Sequence, residues 1–142
     1  MLDKFAVAPL AGFPDHPHRS FETVTYMLQG AFTHQDFVEH KGTIRTGNVQ
    51  WMTVGRGIIH SEMPVSEGTQ KGLQFWINLT SKEKMIEPNY QELPSEDIKR
   101  AEKDGVEVRV IARESMGLWS PVYTRTPTMY LDFTLKPRAQ MH

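Results

Sequence analysis

Apolar positions in this chain recur mostly at every second residue, and the runs that carry them are short. Leu73, Phe75, Ile77 and Leu79 fall on one side of an alternating stretch, with Gln74, Trp76 and Asn78 on the other. That period predicts a strand over 73–79. Residues 19–28 are rich in β-branched and aromatic side chains and predict another. Further strands are expected at 32–38, 49–54, 58–62 and 106–112, with a last extended run at 123–135 that Pro127 interrupts. Turn signals separate them: Gln29-Gly30, Lys41-Gly42, Thr46-Gly47-Asn48, Gly55-Arg56-Gly57 and Asp104-Gly105. Residues 1–15 read as a turn-rich lead-in. Two stretches leave the β rhythm. Residues 81–87 fit one helical turn capped by Ser81 and stopped by Pro88, and the charged run 95–104 fits a short surface helix. Short strands at close spacing, joined by Gly and Asn turns, describe an all-β barrel or sandwich.

Composition narrows the class. A chain of 142 residues with 39% hydrophobic and 23% charged residues is long enough for a real core and ordinary for a folded domain. A formal net charge of −1 leaves no electrostatic footprint for nucleic acid or an anionic membrane, so neither is an expected partner. There is no cysteine, hence no disulfide framework and no thiolate chemistry. No segment approaches the ~20 apolar residues of a membrane helix, and no signal-peptide core opens the chain.

The candidate chemistry lies between His16 and Glu62. His16-Pro17-His18 opens this stretch and His60-Ser61-Glu62 closes it. In an extended chain residues i and i+2 share a face, so each end presents two metal-capable groups together. If the two faces meet, three imidazoles and one carboxylate converge, a donor set for a borderline divalent metal with positions left for water, dioxygen or substrate. If the strand runs unbroken from His18, Glu22 shares that face too, as a ligand or a neighbour of one. His34 and His142 read as ordinary polar positions. Phe75 and Trp51 read as core, with the mouth of a pocket as the alternative. Arg56 and Lys41 read as solvated charges, with contact to a partner as the alternative.

The runs Pro14–Tyr26 and Gln50–Pro64 resemble the two cupin signatures of the pirin family, and Thr124–Asp132 is similar to that family's junction into a second cupin domain. The wording is nearest to plant pirin-like proteins. The resemblance implies an antiparallel cupin-type β-barrel (a double-stranded β-helix, or jelly roll) at 1–120 and the stub of an incomplete second cupin domain at 121–142. It implies one Fe(2+) per chain held by His16, His18, His60 and Glu62, with Glu22 beside the site. It carries two activities. The first is that of a cofactor in the nucleus or cytoplasm that binds a transcription factor or signalling protein. The second is that of a quercetin (flavonol) 2,3-dioxygenase using Fe(II) and O2, in which Glu62 or Glu22 takes the flavonol hydroxyl proton. A third reading is a truncated, largely inactive product.

Three positions depart from the family pattern. Ser20 and Glu39 stand where the family usually has glycine, and Asn48 where it has aspartate. A serine forced to positive φ at Ser20 would cost on the order of 1 kcal/mol. From Tyr123 onward the chain is expected to pack poorly or pair with another copy, because its second-domain neighbours are missing, and self-association through that face is a further expectation.

Overall fold

The computed structural model describes residues 1–65 and 67–141, so His142 lies outside the described residues. Nearly every apolar alternation becomes a strand. In chain order these are β1 (Leu2–Val7), β2 (Phe13–His18), β3 (Phe21–Gln29), β4 (Ala31–Asp36), β5 (Lys41–Arg45), β6 (Val49–Thr53) and β7 (Ile58–Pro64). They continue with β8 (Gln70–Asn78), β9 (Asn89–Leu93), β10 (Lys99–Lys103), β11 (Val106–Ala112), β12 (Glu114–Ser115), β13 (Leu118–Trp119) and β14 (Tyr130–Leu135). The protein is all-β with antiparallel pairing throughout, as the alternation predicts. No helix among the described residues is long and apolar enough to cross a membrane.

The chain forms two compact units, 1–95 and 96–142. They do not coincide with the segments 1–120 and 121–142 of the family's domain plan. In the first unit, one sheet has the order β1-β8-β3-β6-β9 and the other β2-β7-β4-β5. Met27 of β3 packs on Phe32 of β4 and Ile44 of β5, with Phe5 and Val7 of β1 against them. This cluster joins residues of both sheets, so the core lies between them, as in a barrel. A second cluster unites Met52, Val54 and Ile58, with Phe21 and Tyr90 alongside. Each such side chain contributes roughly 1.5–3 kcal/mol by leaving water. In the second unit β11 lies between β10 and β14, and β12 pairs with β13.

The departures from the sequence reading share a cause. The run 95–104 is not a helix. Only Ser95–Asp97 makes a 3-10 turn, and Lys99–Lys103 is a strand paired along β11. Its charges occupy a sheet edge, where pairing with a neighbour outweighs the strand's own weak propensity. Lys41-Gly42 starts β5 rather than making a turn, and Asn89–Leu93 is an edge strand on β6. The supposed lead-in supplies β1, which pairs along β8, and β2. Of the last extended run only Tyr130–Leu135 is a strand, and it finds its partner in β11 of its own chain. The residues from 121 to 141 are all half-buried or exposed.

A single turn carries the chain from one sheet to the other. Arg19-Ser20 breaks the expected continuous strand: β2 ends at His18 and β3 begins in the other sheet. Ser20 has φ 73° and Glu39 has φ 69°. These are the two positions where glycine was expected, and both hold a side chain in the left-handed region. The Ser20 amide donates to the Gly55 carbonyl at 2.8 Å, which ties the turn to the one before β7. The strain of ~1–2 kcal/mol per left-handed residue exceeds the ~0.5–1 kcal/mol that glycine costs in backbone freedom. Ser20→Gly is therefore expected to stabilise the chain by roughly 0.5–1 kcal/mol in urea unfolding. A destabilised variant would show that the serine hydroxyl matters more than its backbone.

Candidate metal centre

The pairing of β2 with β7 builds the centre. His16 is the cross-strand partner of His60, and His18 that of Ile58. Between Phe13 and His16 the register shifts, so three steps on β2 match the two steps from His60 to Glu62 on β7. A bulge of this kind bends a strand and re-aims its side chains. The rings of His16, His18 and His60 converge, with centroids 4.5–4.9 Å apart. Each offers a nitrogen within 4.8 Å of the other two. Glu62 is not one of that trio. It is buried at 6% exposure and lines the same cavity as His16 and His18.

Hydrogen bonding leaves this set short of partners. His16 Nδ1–H donates to the Pro14 carbonyl at 2.7 Å. A carbonyl can only accept, so this bond fixes the tautomer and leaves the Nε2 lone pair free. His60 is buried at 2% exposure, and neither of its ring nitrogens has a hydrogen-bond partner. Such orphaned buried atoms are rare and need a reason. Burial pushes the His60 imidazole down to about 3, helped by His16, His18 and His34. Burial, then the His16 charge, lowers His18 to about 4. Burial pushes the Glu62 carboxyl up to about 7. Burial thus favours the neutral form of His18 and His60, the form that binds metal, and no cation among the described residues offsets the Glu62 charge. His16, His18 and His60 could hold a divalent ion, with Glu62 nearby as a further donor.

The centre opens on a cavity of about 330 Å³. Its walls are the aromatic rings of Phe5, Phe13, Phe32 and Trp76, with Asp3 and Gln74 among them. Trp76 lies edge-on to His18 at 5.1 Å. None of these walls is singled out by the sequence reading, which names the other face of β8. Phe75 is absent from the cavity lining and Trp51 is wholly buried core. Glu22 does not continue the strand of His18, because the Arg19-Ser20 turn separates them. It is fully buried on β3, in the opposite sheet, where its Oε1 accepts the Thr53 hydroxyl at 2.7 Å. Arg56 pairs with Glu87 at 2.9 Å, and Lys41 is exposed. His34 is no ordinary polar residue. It is buried at 1% exposure beside His40 and Glu92.

Comparison with known proteins agrees with this arrangement. The Pirin family model matches residues 3–77. A pirin-like protein of Solanum lycopersicum is 75% identical over 142 residues, all of this chain and 49% of that protein. The chain spans about half the length of the curated relatives it matches. A crystal structure of quercetin 2,3-dioxygenase from Acinetobacter baumannii superposes with a TM-score of 0.86 at 32% identity, covering 94% of this chain and 46% of that one. A bacterial pirin from Escherichia coli in complex with nickel(II) gives 0.63 at 28% identity, covering 77% and 52%. Fold, paired histidine strands and sequence match point the same way: the chain belongs to the pirin family, within the cupin superfamily.

Proposed function

We propose that this chain holds one iron(II) ion on His16, His18, His60 and Glu62, and that the occupied domain serves as a binding module for a regulatory partner protein in the nucleus or cytoplasm. The fit of the donors supports the metal: neutral imidazoles, an orphaned His60 and an uncompensated carboxylate. Iron there would supply a redox-active Lewis acid. The observation that carries the partner reading is the position of His18. It lines the aromatic cavity and also a second, outward cleft of about 500 Å³. That cleft is walled by Pro17, Phe37 and Ile59. Phe37 is 61% and Ile59 46% exposed. Clustered apolar side chains that remain in water mark contact surfaces. A ligand shared between centre and surface lets the bound ion fix the shape of that surface.

A second reading, flavonol 2,3-dioxygenase, is favoured by the cavity itself. Its aromatic walls suit a flat polycyclic ligand, and the resemblance to quercetin 2,3-dioxygenase structures supports it. Glu62 lines that cavity, which supports it over Glu22 as the group that takes the hydroxyl proton. Turnover demands more than binding, because the reacting groups must be held to about half an ångström. The strained Ser20 turn directly follows His18.

The two readings separate in one experiment. The chain is loaded anaerobically with iron(II), desalted, and its iron content and quercetin-dependent oxygen uptake are measured. About one iron per chain with little oxygen uptake is expected. Strong uptake that His16→Ala abolishes would put the dioxygenase first. A chain that retains no iron would end both readings.

A further inference from the structure

A second group of metal-capable side chains lies beside the first centre, on the next strand of the sheet: His34 of β4 is the cross-strand partner of Glu62. His34 is on β4, His40 in the turn that leads into β5, and Glu92 on β9. Each offers one ligand atom within 4.8 Å of the other two. Glu92 Oε1 is 3.0 Å from His34 Nε2 and 3.6 Å from His40 Nε2. A tetrahedral zinc ion with ligand bonds of ~2.0–2.2 Å sets its donors roughly 3.3–3.6 Å apart. The observed spacings bracket that value.

An ordinary histidine–carboxylate ion pair is the competing explanation. It would aim an N–H at the carboxylate. Yet one Glu92 oxygen faces the Nε2 atoms of both His34 and His40, and His34 Nδ1 is buried without a hydrogen-bond partner, more than a single ion pair accounts for. The surroundings also hold the rings in place. Asp36 Oδ1 accepts the backbone amides of Val38 and His40 at 3.0 and 2.8 Å, which fixes the turn that carries His40. The Tyr90 hydroxyl donates to Asp36 Oδ2 at 3.1 Å, and its ring stacks on His40 at 4.1 Å and on His34 at 5.7 Å. Gly42, opposite His34 on β5, makes the space: a Cβ there would lie 2.5 Å from His34 Nε2 and 2.9 Å from Glu92 Oε1. An outer cleft of about 350 Å³ lined by Asp36, Val38, His40 and Tyr90 gives an ion its way in.

We propose that His34, His40 and Glu92 form a second divalent-cation site, suited to zinc or a similar borderline ion, that ties β4 and its turn to the edge strand β9. Two imidazoles and one carboxylate make a three-ligand set with room for a water. The two sheets of the first unit meet here without a hydrogen-bonded ladder between β5 and β9, the strands at their respective edges. A cation at this point clamps the seam.

The test uses the metal-free chain carrying His16→Ala and His60→Ala, which disables the first centre, titrated with zinc chloride by calorimetry. About one bound equivalent is expected, with a melting temperature that rises with zinc. Residues that merely support a metal's ligands are worth ~10–100-fold in affinity. Loss of a ligand through a further His40→Ala or Glu92→Gln is therefore expected to weaken zinc binding roughly 100-fold. Both positions are more than a third exposed, so these variants should fold. Gly42→Ala should lose zinc as well. No zinc binding in the doubly substituted chain, or equal binding with and without His40 and Glu92, overturns the proposal. If the double variant does not fold, the native chain and His40→Ala are compared instead. A fall from about two zinc equivalents to one supports the site, and an unchanged count overturns it.

Discussion

Replacing His60 with alanine is expected to empty the first centre of iron. His60 lies on β7 opposite His16, at centroid distances of 4.5 and 4.9 Å from His16 and His18, and is the most buried of the three. No hydrogen bond awaits either of its nitrogens if the metal leaves. Alanine removes one of the three converging imidazoles and puts an empty space where the ring was. The loss should exceed the ~10–100-fold typical of residues that only support a metal's ligands. Iron content after anaerobic loading and desalting reads the effect. His34→Ala provides the contrast, since His34 belongs to the other group of donors. Equal iron in native chain and His60→Ala would remove the basis for the centre.

The second large effect falls on stability. Trp51 lies on β6, fully out of water, paired across the sheet with Val24 on one side and Gln91 on the other. Trp51→Ala is expected to cost about 3–5 kcal/mol in urea unfolding, from lost apolar burial and from the cavity left behind. Trp51→Phe should cost much less, because the buried indole nitrogen has no hydrogen-bond partner to lose. Trp76→Ala is the useful comparison, since its ring walls the aromatic cavity. An alanine at Trp51 that left stability within about 1 kcal/mol would mean the interior collapses around the gap.

Period-two arithmetic carried the sequence reading a long way. It placed His16 beside His18 and His60 near Glu62 without any knowledge of how the strands pair. It does not extend to Glu22, because face-counting assumes an unbroken strand and the Ser20 turn sends the chain into the other sheet. The glycine-to-serine departure was the signal that could have revealed this. The bulge between Phe13 and His16 left no trace in the residues, since it depends on the partner strand. β10 was hidden for the opposite reason: its side chains alternate nothing, and β11 alone makes it a strand. Gly42 was legible as a glycine but not for its reason, which is the approach of His34 and Glu92 from other strands. The group around His34 spans β4, a turn and β9, so no local spacing announces it.

The pairing of His16 with His60 joins two points 44 residues apart in the chain. Closing so long a loop costs chain entropy that scales with the logarithm of its length, and ordered pairing must be in place before that cost is recovered. Neither histidine pair can gather the full donor set by itself. During synthesis the HxH pair emerges well before the HxE pair, and it must wait for β7 to arrive. The cluster is therefore a property of the paired four-stranded sheet, and metal uptake by it would report that β2 and β7 have met.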